Sequence, residues 1–355
     1  MTVSSESAAF ESGPYHELEV LRIVEETDDA RSIVLNIPEA LRELYTYEAG
    51  QFLTFRITVD DHPLVRCYSL ASCPETESEH KVTVKRVDEG RASNWFHDVL
   101  KAGDRLQVMK PAGNFCLADR GTPIVLFAGG SGITPVISLA KTALAKTDRS
   151  LLLVYANRDA KSVIFDQELR ELEARYGERV QLVHRHDDRD GFLEVEAARS
   201  WVTKFAREAD FYVCGPGPYM DVVERALESE GVTADRIFIE RFVSPEIEAL
   251  DQKAPHAESD AGARVIIRLD GAETEVIVGD GETILEAAHR AGLDAPCACL
   301  EGYCGACVAQ VESGRVEMRV NDGGVDEDQA REGWVLTCQG ELRSAKAKIV
   351  YPDPD

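Results

Sequence analysis

The sequence predicts a multidomain protein: an antiparallel β-barrel, then a doubly wound parallel α/β domain, then a small domain that opens with a β-hairpin. Three observations support this order. The first third of the chain has short β-prone runs between turns, the middle alternates apolar strands with helices, and the last part carries a cysteine-rich loop. At 355 residues the chain is long enough for two or three separate cores.

The domain boundaries follow from changes in composition. Residues 244–262 are rich in proline, alanine and charge without periodicity, which predicts a linker. The other predicted units are a flexible tail at 1–14, the barrel at 15–117, the α/β domain at 118–243 and the third domain at 263–355. The tail lacks the basic and apolar regions of a signal peptide. No apolar run reaches the ~18 residues that a transmembrane helix needs.

Charge and cysteine usage exclude some classes of function. The formal net charge of -25 argues against binding to nucleic acid or to an anionic membrane, whose phosphates would repel the chain. We attribute most of this charge to solubility, but it also suits a partner with a basic patch. The acidic residues Asp322, Asp326, Glu327 and Asp328 lie close to the cysteine-rich segment, so there the docking interpretation is stronger. Nine cysteines, an odd number, favour reduced thiols and metal ligation in the cytoplasm over a disulfide scaffold.

Short strands separated by turns predict the barrel, and strand–helix alternation predicts the parallel sheet. The predicted barrel strands are 32–37, 51–58, 64–71, 81–87 and 105–109, with one helix at 93–100. The predicted α/β strands are 124–128, 151–156, 180–184, 211–214 and 237–240, with an amphipathic helix at 162–176. The third domain begins with strands 264–269 and 275–278 around Asp270-Gly271, a hairpin pattern, and continues with a helix at 283–291.

Four cysteines near the C-terminus indicate an iron–sulfur cluster. Cys299, Cys304 and Cys307 are spaced C-x4-C-x2-C, and Cys338 follows after thirty further residues. This spacing is typical of a plant-type [2Fe–2S] cluster. Glycines between the cysteines let the loop wrap closely, so that backbone N–H groups can point at the sulfurs. A structural zinc site is the alternative, although zinc sites more often pair two C-x2-C motifs.

Cys297 complicates this ligand assignment. It lies two residues before Cys299 and could in principle replace it, but the C-x4-C spacing favours Cys299. We interpret Cys297 as a small apolar residue beside the cluster. The third domain resembles plant-type ferredoxins in its hairpin, helix and cysteine loop, and this resemblance implies a β-grasp fold. Position 297 departs from the expected aromatic residue, which would change the surroundings of the cluster.

Three segments of the first domain point to a flavin. Arg66, Tyr68 and Ser69 form R-x-Y-S, Gly90 precedes the only helix, and P-A-G-N-F closes the domain. Because a helix N-terminus attracts anions, these segments together resemble the FAD-binding domain of the ferredoxin–NADP reductase superfamily. The resemblance implies that Arg66 neutralises the flavin phosphate, that Tyr68 packs against the isoalloxazine and that Ser69 lies near its reactive nitrogen. The residues that would cradle the pyrophosphate are Gly90, Ala92 and Ser93.

Two loops of the second domain point to a nicotinamide dinucleotide. The segment G-G-S-G-I-T-P follows the first apolar strand and opens a helix, where backbone can approach a pyrophosphate. Its candidate binding residues are Gly129, Gly130, Gly132 and Thr134. Cys214 and Gly215 end a later strand, at the edge where open sheets bind ligands. By resemblance to the same superfamily, nicotinamide meets flavin there, so Cys214 and Ser69 are the predicted catalytic residues; Cys214 would shape geometry and not act as a nucleophile.

These residues leave the choice between NADH and NADPH open. Arg158 follows the second sheet strand and could bind a 2′-phosphate, but Asp159 follows at once and would repel it. Arg158 could equally be a solvated loop residue.

The order flavin, nicotinamide, ferredoxin resembles the reductase components of bacterial oxygenases. Segments such as Y-E-A-G-Q-F-L-T, L-Y-A-N-R and E-G-Y-C-G-A-C resemble in particular the reductases that serve 3-ketosteroid 9α-hydroxylase. The resemblance favours NADH over NADPH. It implies that electrons pass from NADH to FAD, to [2Fe–2S] and then to a separate Rieske-type non-haem iron oxygenase in steroid degradation. A flavin suits this role because it converts a two-electron hydride into single electrons.

Three alternatives remain open. The same electron chain could serve another oxygenase, as in reductases of the phenylacetyl-CoA epoxidase type. A reductase of the phthalate dioxygenase type would carry FMN, although G-R-A-S-N-W and P-A-G-N-F favour FAD. The third alternative is not a reductase at all: a zinc-binding or docking module fused to a flavin domain.

Overall fold

The computed structural model describes residues 15–60, 62–242, 263–293, 295–297, 300, 302, 304–321 and 324–352. Four sequence predictions therefore lie outside the described residues: the tail at 1–14, the linker at 244–262, the ligand Cys299 and the acidic residue Asp322.

The first domain is the predicted antiparallel barrel. Its strands are β1 (Tyr15–Thr27), β2 (Ala30–Asn36), β3 (Phe52–Val59), β4 (His62–Ser69), β5 (His80–Lys85) and β6 (Arg105–Met109). They form one sheet in the order β4-β3-β6-β1-β2-β5, and each pair is antiparallel. The helix α1 (Arg91–Asp98) covers one end. The sequence did not predict β1, because the adjacent apolar residues Val20-Leu21 and Ile23-Val24 interrupt its alternation, and the strand has a register shift between Val20 and Arg22.

The second domain is the predicted doubly wound parallel sheet. Its strands are β7 (Ile124–Gly129), β8 (Leu151–Asn157), β9 (Val180–His186), β10 (Asp210–Cys214) and β11 (Ile237–Glu240), in the order β11-β10-β7-β8-β9. Every neighbouring pair is parallel. The helices are α2 (Ile133–Lys146), α3 (Asp166–Tyr176), α4 (Asp187–Asp190), α5 (Val195–Phe205) and α6 (Gly217–Ser229). Separate apolar cores lie on the two faces of the sheet.

The predicted helix at 162–176 is shorter than expected. Asp159 caps a 3-10 turn at Ala160–Ser162, and its side chain accepts the N–H groups of Lys161 and Ser162. Phe165 then adopts a left-handed backbone conformation with φ of 62°, which an α-helix cannot accommodate. The α-helix therefore begins only at Asp166.

The third domain has a mixed sheet with one helix packed on it. Its strands are β12 (Ala263–Leu269), β13 (Ala272–Val278), β14 (Val308–Ser313), β15 (Val316–Met318), β16 (Trp334–Leu336), β17 (Gly340–Leu342) and β18 (Lys346–Val350), and its helices are α7 (Ile284–Arg290) and α8 (Glu327–Arg331). The main sheet runs β13-β12-β18-β14-β16, with β12 and β18 parallel. This agrees with the β-grasp prediction. In the described part of the chain, no helix has the length and apolarity needed to cross a membrane.

Candidate active site and metal-binding loop

Two loops at the carboxyl edge of the parallel sheet pack backbone against backbone. They are the glycine-rich loop after β7 and the loop after β10. A Cβ atom on Gly132 would lie 2.2 Å from the carbonyl oxygen of Cys214, and one on Gly215 would lie 3.0 Å from the Cα of Gly129. Only glycine permits this approach, which brings together residues that the sequence placed in one nucleotide site. Thr134 closes the loop, because its hydroxyl donates to the Ser131 carbonyl at 3.0 Å.

Ser69 and Cys214, the predicted catalytic residues, are connected at this edge through a third residue, Glu240. Ser69 Oγ lies 3.5 Å from Glu240 Oε2, and Glu240 pairs in register with Cys214 across neighbouring strands. Ser69 is 2% exposed, Cys214 is fully buried and Glu240 is 7% exposed. Glu240 was not predicted from the sequence. The signal that could have identified Glu240 is its position as an acidic residue at the end of an apolar strand, next to the strand that ends at Cys214.

Burial sets the protonation states of this group. Desolvation raises the pKa of Glu240 to about 8, against the opposing hydrogen bond from Ser69. Its carboxyl group therefore carries a proton at neutral pH. Desolvation also raises the pKa of the Cys214 thiol well above its ordinary value, and the nearby Glu240 adds to this. Cys214 stays a thiol, which agrees with the interpretation that it is not a nucleophile.

The barrel supplies an anion-binding helix end of the kind predicted for the flavin pyrophosphate. Gly90 is the N-cap of α1, and no side chain of the described residues caps the first turn. The N–H groups of that turn therefore keep the capacity to bind a phosphate. Ala92 and Ser93 are buried there, and the Ser93 hydroxyl accepts the Val87 N–H at 3.1 Å, which fixes the loop before the helix.

Strand β4 presents Arg66 and Tyr68 on one face. The Arg66 guanidinium donates to the Val65 carbonyl oxygen at 2.8 Å. The Tyr68 ring packs against Phe55 and Phe96, with ring centroids 5.7 and 5.1 Å away. This aromatic group sets the position of Tyr68 within the barrel.

The opposite face of β4 reaches both neighbouring domains. Ser69 contacts Glu240 of the α/β domain. Val65, two steps of the alternation away, lies in an apolar cluster with Cys304 of the third domain. Since alternate residues of a strand are about 7 Å apart, the two contacts are separated by roughly 13 Å. One strand therefore connects the candidate hydride site to the cysteine loop.

The cysteine loop packs directly on the barrel. Cys304 and Ala306 contact Phe52 and Val65, and the Thr54 hydroxyl donates to the Cys304 carbonyl oxygen at 3.4 Å. At the margin of this interface, Lys110 Nζ and Asp326 Oδ2 are 3.7 Å apart.

The described cysteines suit a buried cluster. Cys304, Cys307 and Cys338 are 3%, 1% and 7% exposed, and the Ala306 N–H donates to Cys304 Sγ at 3.4 Å. A backbone N–H aimed at a ligand sulfur stabilises the negative charge of such a cluster. Cys297 is also buried, within the apolar core of the domain. The described residues leave out Cys299, and among them no three His, Cys, Asp or Glu side chains lie close enough together to hold a metal ion.

Arg158 lies at the seam between the barrel and the α/β domain. Its guanidinium is 2.5 Å from Asp29 Oδ2 in the β1–β2 turn. Lys85 approaches the same region, since its Nζ would lie 3.6 Å from a Cβ on Gly130. Burial lowers the pKa of Lys85, while the carboxylates of Asp29 and Asp159 raise it. Lys85 was not among the residues predicted from the sequence.

Three family models match the chain in the order of the domains. The FAD-binding oxidoreductase domain matches residues 17–116, the NAD-binding oxidoreductase domain matches residues 126–225, and the 2Fe-2S iron-sulfur cluster binding domain matches residues 267–343. The last segment contains all four predicted cluster cysteines. The chain is thus an oxidoreductase with FAD, NAD and [2Fe–2S] sites, and a zinc or docking module is excluded.

Full-length relatives extend this result. The ferredoxin reductase component of 3-ketosteroid-9-alpha-monooxygenase from Mycolicibacterium smegmatis is 39% identical over 345 residues, covering 95% of this chain and 97% of that protein. A component of 1,2-phenylacetyl-CoA epoxidase from Escherichia coli K12 is 33% identical over 340 residues, covering 92% and 94%. The structure of phthalate dioxygenase reductase superimposes with a TM-score of 0.59 at 24% identity, covering 95% and 98%. The chain therefore belongs to the family of reductase components of multicomponent oxygenases.

Proposed function

We propose that this chain takes a hydride from NADH and delivers single electrons to a separate Rieske-type oxygenase that hydroxylates 3-ketosteroids at the 9α position. The observation that carries the proposal is the 39% identity, over 95% of the chain, with the reductase component of such a monooxygenase. The two proteins also match over nearly their whole lengths, so they share one set of three domains.

We assign the hydride-transfer site to Ser69, Cys214 and Glu240. A hydride moves only between atoms in near contact, so this site must orient two rings and exclude water. The burial of all three residues supports this assignment. At neutral pH the protonated carboxyl group of Glu240 faces Ser69 Oγ, and it holds a proton beside the reacting rings. Gly215 lets its loop pack against Gly129 because it has no side chain.

We assign the phosphate contacts to glycine-rich backbone and two cations. Arg66 and the first turn of α1 would hold the flavin phosphates. The residues that would hold the nicotinamide dinucleotide are Gly129, Gly130, Gly132, Thr134 and Lys85. Because the Arg158 guanidinium already pairs with Asp29, it does not offer a free site for a 2′-phosphate. This pairing supports NADH over NADPH.

When bound, FAD accepts a hydride and releases electrons singly, and the [2Fe–2S] cluster carries them one at a time. Cys304, Cys307 and Cys338 would ligate the cluster, together with Cys299, which the C-x4-C-x2-C spacing assigns. The contact of Cys304 with Val65 brings the ligand loop against the flavin domain. The acidic residues Asp326, Glu327 and Asp328 lie in and just before α8 beside this loop, and would face a basic surface on the oxygenase.

The test is NADH-driven product formation with a purified 3-ketosteroid 9α-hydroxylase oxygenase and androstenedione. Hydroxylated steroid formed in proportion to the NADH consumed is the expected result. A parallel reaction uses the phenylacetyl-CoA oxygenase complex, because a component of that epoxidase is 33% identical to this chain. Rapid NADH oxidation by ferricyanide without any steroid product would reject the steroid partner and keep the reductase activity.

A further inference from the structure

Four charged side chains join the barrel to the α/β domain. The barrel contributes Glu77 and Lys81, and the α/β domain contributes Lys141 of α2 and Glu168 of α3. Lys81 Nζ pairs with Glu168 Oε1. Lys141 Nζ lies 2.6 Å from Glu77 Oε1 and 3.2 Å from Glu168 Oε2. We call these residues the seam cluster; their charges alternate along the chain of contacts, and two of the three pairs cross between domains.

The lysines of the seam cluster are buried and its glutamates are partly buried. Both lysine side chains are only 10% exposed, and both glutamates are 32% exposed. Burial disfavours the charge of Glu168, but Lys141 and Lys81 outweigh this effect, so the pKa of Glu168 is below its ordinary value. Lys81 Nζ also lies 4.8 Å from the centroid of the Phe165 ring. Charges held this way are weakly screened by salt, and they are satisfied in only one relative placement of the two domains.

Lys141 lies on the face of α2 that contacts the barrel. Ser138, one helical turn before it on the same face, and Thr142, the next residue, also reach the loop before β5. Ser138 Oγ donates to the Ser72 carbonyl oxygen at 2.6 Å, and Thr142 Oγ1 lies 3.3 Å from Cys73 Sγ. The first turn of α2 follows the glycine-rich loop directly. The barrel therefore contacts the same helix, α2, that follows the glycine-rich nucleotide loop.

We propose that Lys141, by bridging Glu77 and Glu168, is a positioning residue that sets the nicotinamide against the flavin for hydride transfer. Its effect passes through α2 and the glycine-rich loop. A displacement of about 1 Å at reacting atoms lowers rates by about 100-fold, so a small rotation at this seam has a large effect. A buried ion pair adds little net stability compared with apolar side chains of similar volume. We therefore assign Lys141 a role in the relative orientation of the two domains.

The experiment compares three variants of the FAD-loaded, full-length protein. Lys141→Met removes the bridge and keeps the apolar stem, and Lys141→Arg keeps the charge. Lys146→Met is the matched control, because Lys146 lies on the same helix and also pairs across the domains, with Glu75 at 2.7 Å, but its side chain is 63% exposed. The measurements are anaerobic stopped-flow flavin reduction by NADH, the kinetic isotope effect with NADH deuterated at C4, the Kd for NADH and the Tm.

We expect Lys141→Met to slow flavin reduction by about 10- to 100-fold, with a larger isotope effect and a Kd for NADH within about threefold. Lys141→Arg should recover most of the rate, and Lys146→Met should match the wild type. An unchanged rate and isotope effect in Lys141→Met would overturn the proposal, and so would an equal loss in Lys146→Met. If Lys141→Met fails to fold, Glu77→Gln removes the Lys141–Glu77 pair that crosses between the domains and must show the same kinetic change. Ferricyanide serves as the terminal acceptor, so the result is independent of the oxygenase partner.

Discussion

The barrel has two neighbours, and it holds them in different ways. Against the α/β domain it shares an apolar core, to which Ala30, Ala49 and Ala71 of the barrel contribute, and it adds the partly buried seam cluster. Against the third domain it makes a small apolar contact around Cys304, one hydrogen bond from Thr54 and a half-exposed ion pair at the margin. We call the interface with the α/β domain the first seam and the interface with the third domain the second seam. The contacts of the first seam fix the relative orientation of two domains, whereas those of the second only keep two domains in contact.

This difference matches the chemistry that crosses each seam. A hydride crosses from the α/β domain to the barrel, and it requires reacting atoms in near contact with aligned orbitals. Single electrons cross from the barrel to the third domain, and no atom has to be transferred. The partly buried network of alternating charges at the first seam therefore fixes the orientation that hydride transfer requires. At the second seam a few packed side chains are enough.

The largest effect is expected from Cys304→Ala, which breaks the second seam at its centre. Removing this ligand should abolish NADH-driven cytochrome c reduction while NADH-to-ferricyanide activity stays within about twofold, because hydride transfer occurs in the other two domains. The two activities are measured on the same FAD-loaded preparation. Loss of both activities together would contradict the separation of the two seams.

Next in size is Gly132→Ala, in the glycine-rich loop of the α/β domain. The added methyl group would lie 2.2 Å from the Cys214 carbonyl oxygen, so the two nucleotide loops must separate. We expect flavin reduction by NADH to fall by about 100-fold, measured by anaerobic stopped flow. Gly121→Ala is the control, since no atom of the described residues lies within 4 Å of its added carbon. A rate for Gly132→Ala equal to that of this control would show that the loops do not form the site.

A smaller effect, on stability, is expected from Glu240→Gln. The pKa of Glu240 rises to about 8 in the folded protein, so the folded state holds a proton that the unfolded chain releases above its ordinary pKa. Wild-type stability should therefore fall as pH rises from about 4.5 to about 8, by at most about 1.4 kcal/mol per pH unit. The Gln variant lacks this contribution, and its Tm relative to the wild type should increase between pH 5 and pH 8. A difference in Tm that is independent of pH would mean that Glu240 is ionised when buried.

The smallest effect is expected from Lys110→Met at the margin of the second seam. Lys110 and Asp326 are 42% and 47% exposed, and exposed ion pairs contribute about 0–1 kcal/mol. Cytochrome c reduction at physiological salt should stay within about twofold of the wild type. A loss comparable to that of Lys141→Met would remove the contrast between the two seams.

Local motifs were predictable because their chemistry lies within a few residues. The spacing of Cys304 and Cys307, the glycine-rich loop and the start of α1 each specify a ligand type through one tight segment. The parallel and antiparallel sheets were also predictable, from the rhythm of apolar residues. Strand β1 was missed because a register shift between Val20 and Arg22 breaks that rhythm. The start of α3 was misplaced because Phe165 takes a conformation that its residue type does not suggest.

Local patterns in the sequence were enough to specify the three folds and their cofactor classes, and to propose the separate pieces of each site. Which of these pieces meet depends on tertiary packing. Ser69 and Glu240 are 171 residues apart, and Thr54 and Cys304 are 250 residues apart, so neither contact leaves a local pattern. The pairing of Lys141 with Glu77 and Glu168 is of the same kind. Such contacts depend on how whole domains pack, because a side chain's partner across a seam is set by many apolar contacts elsewhere.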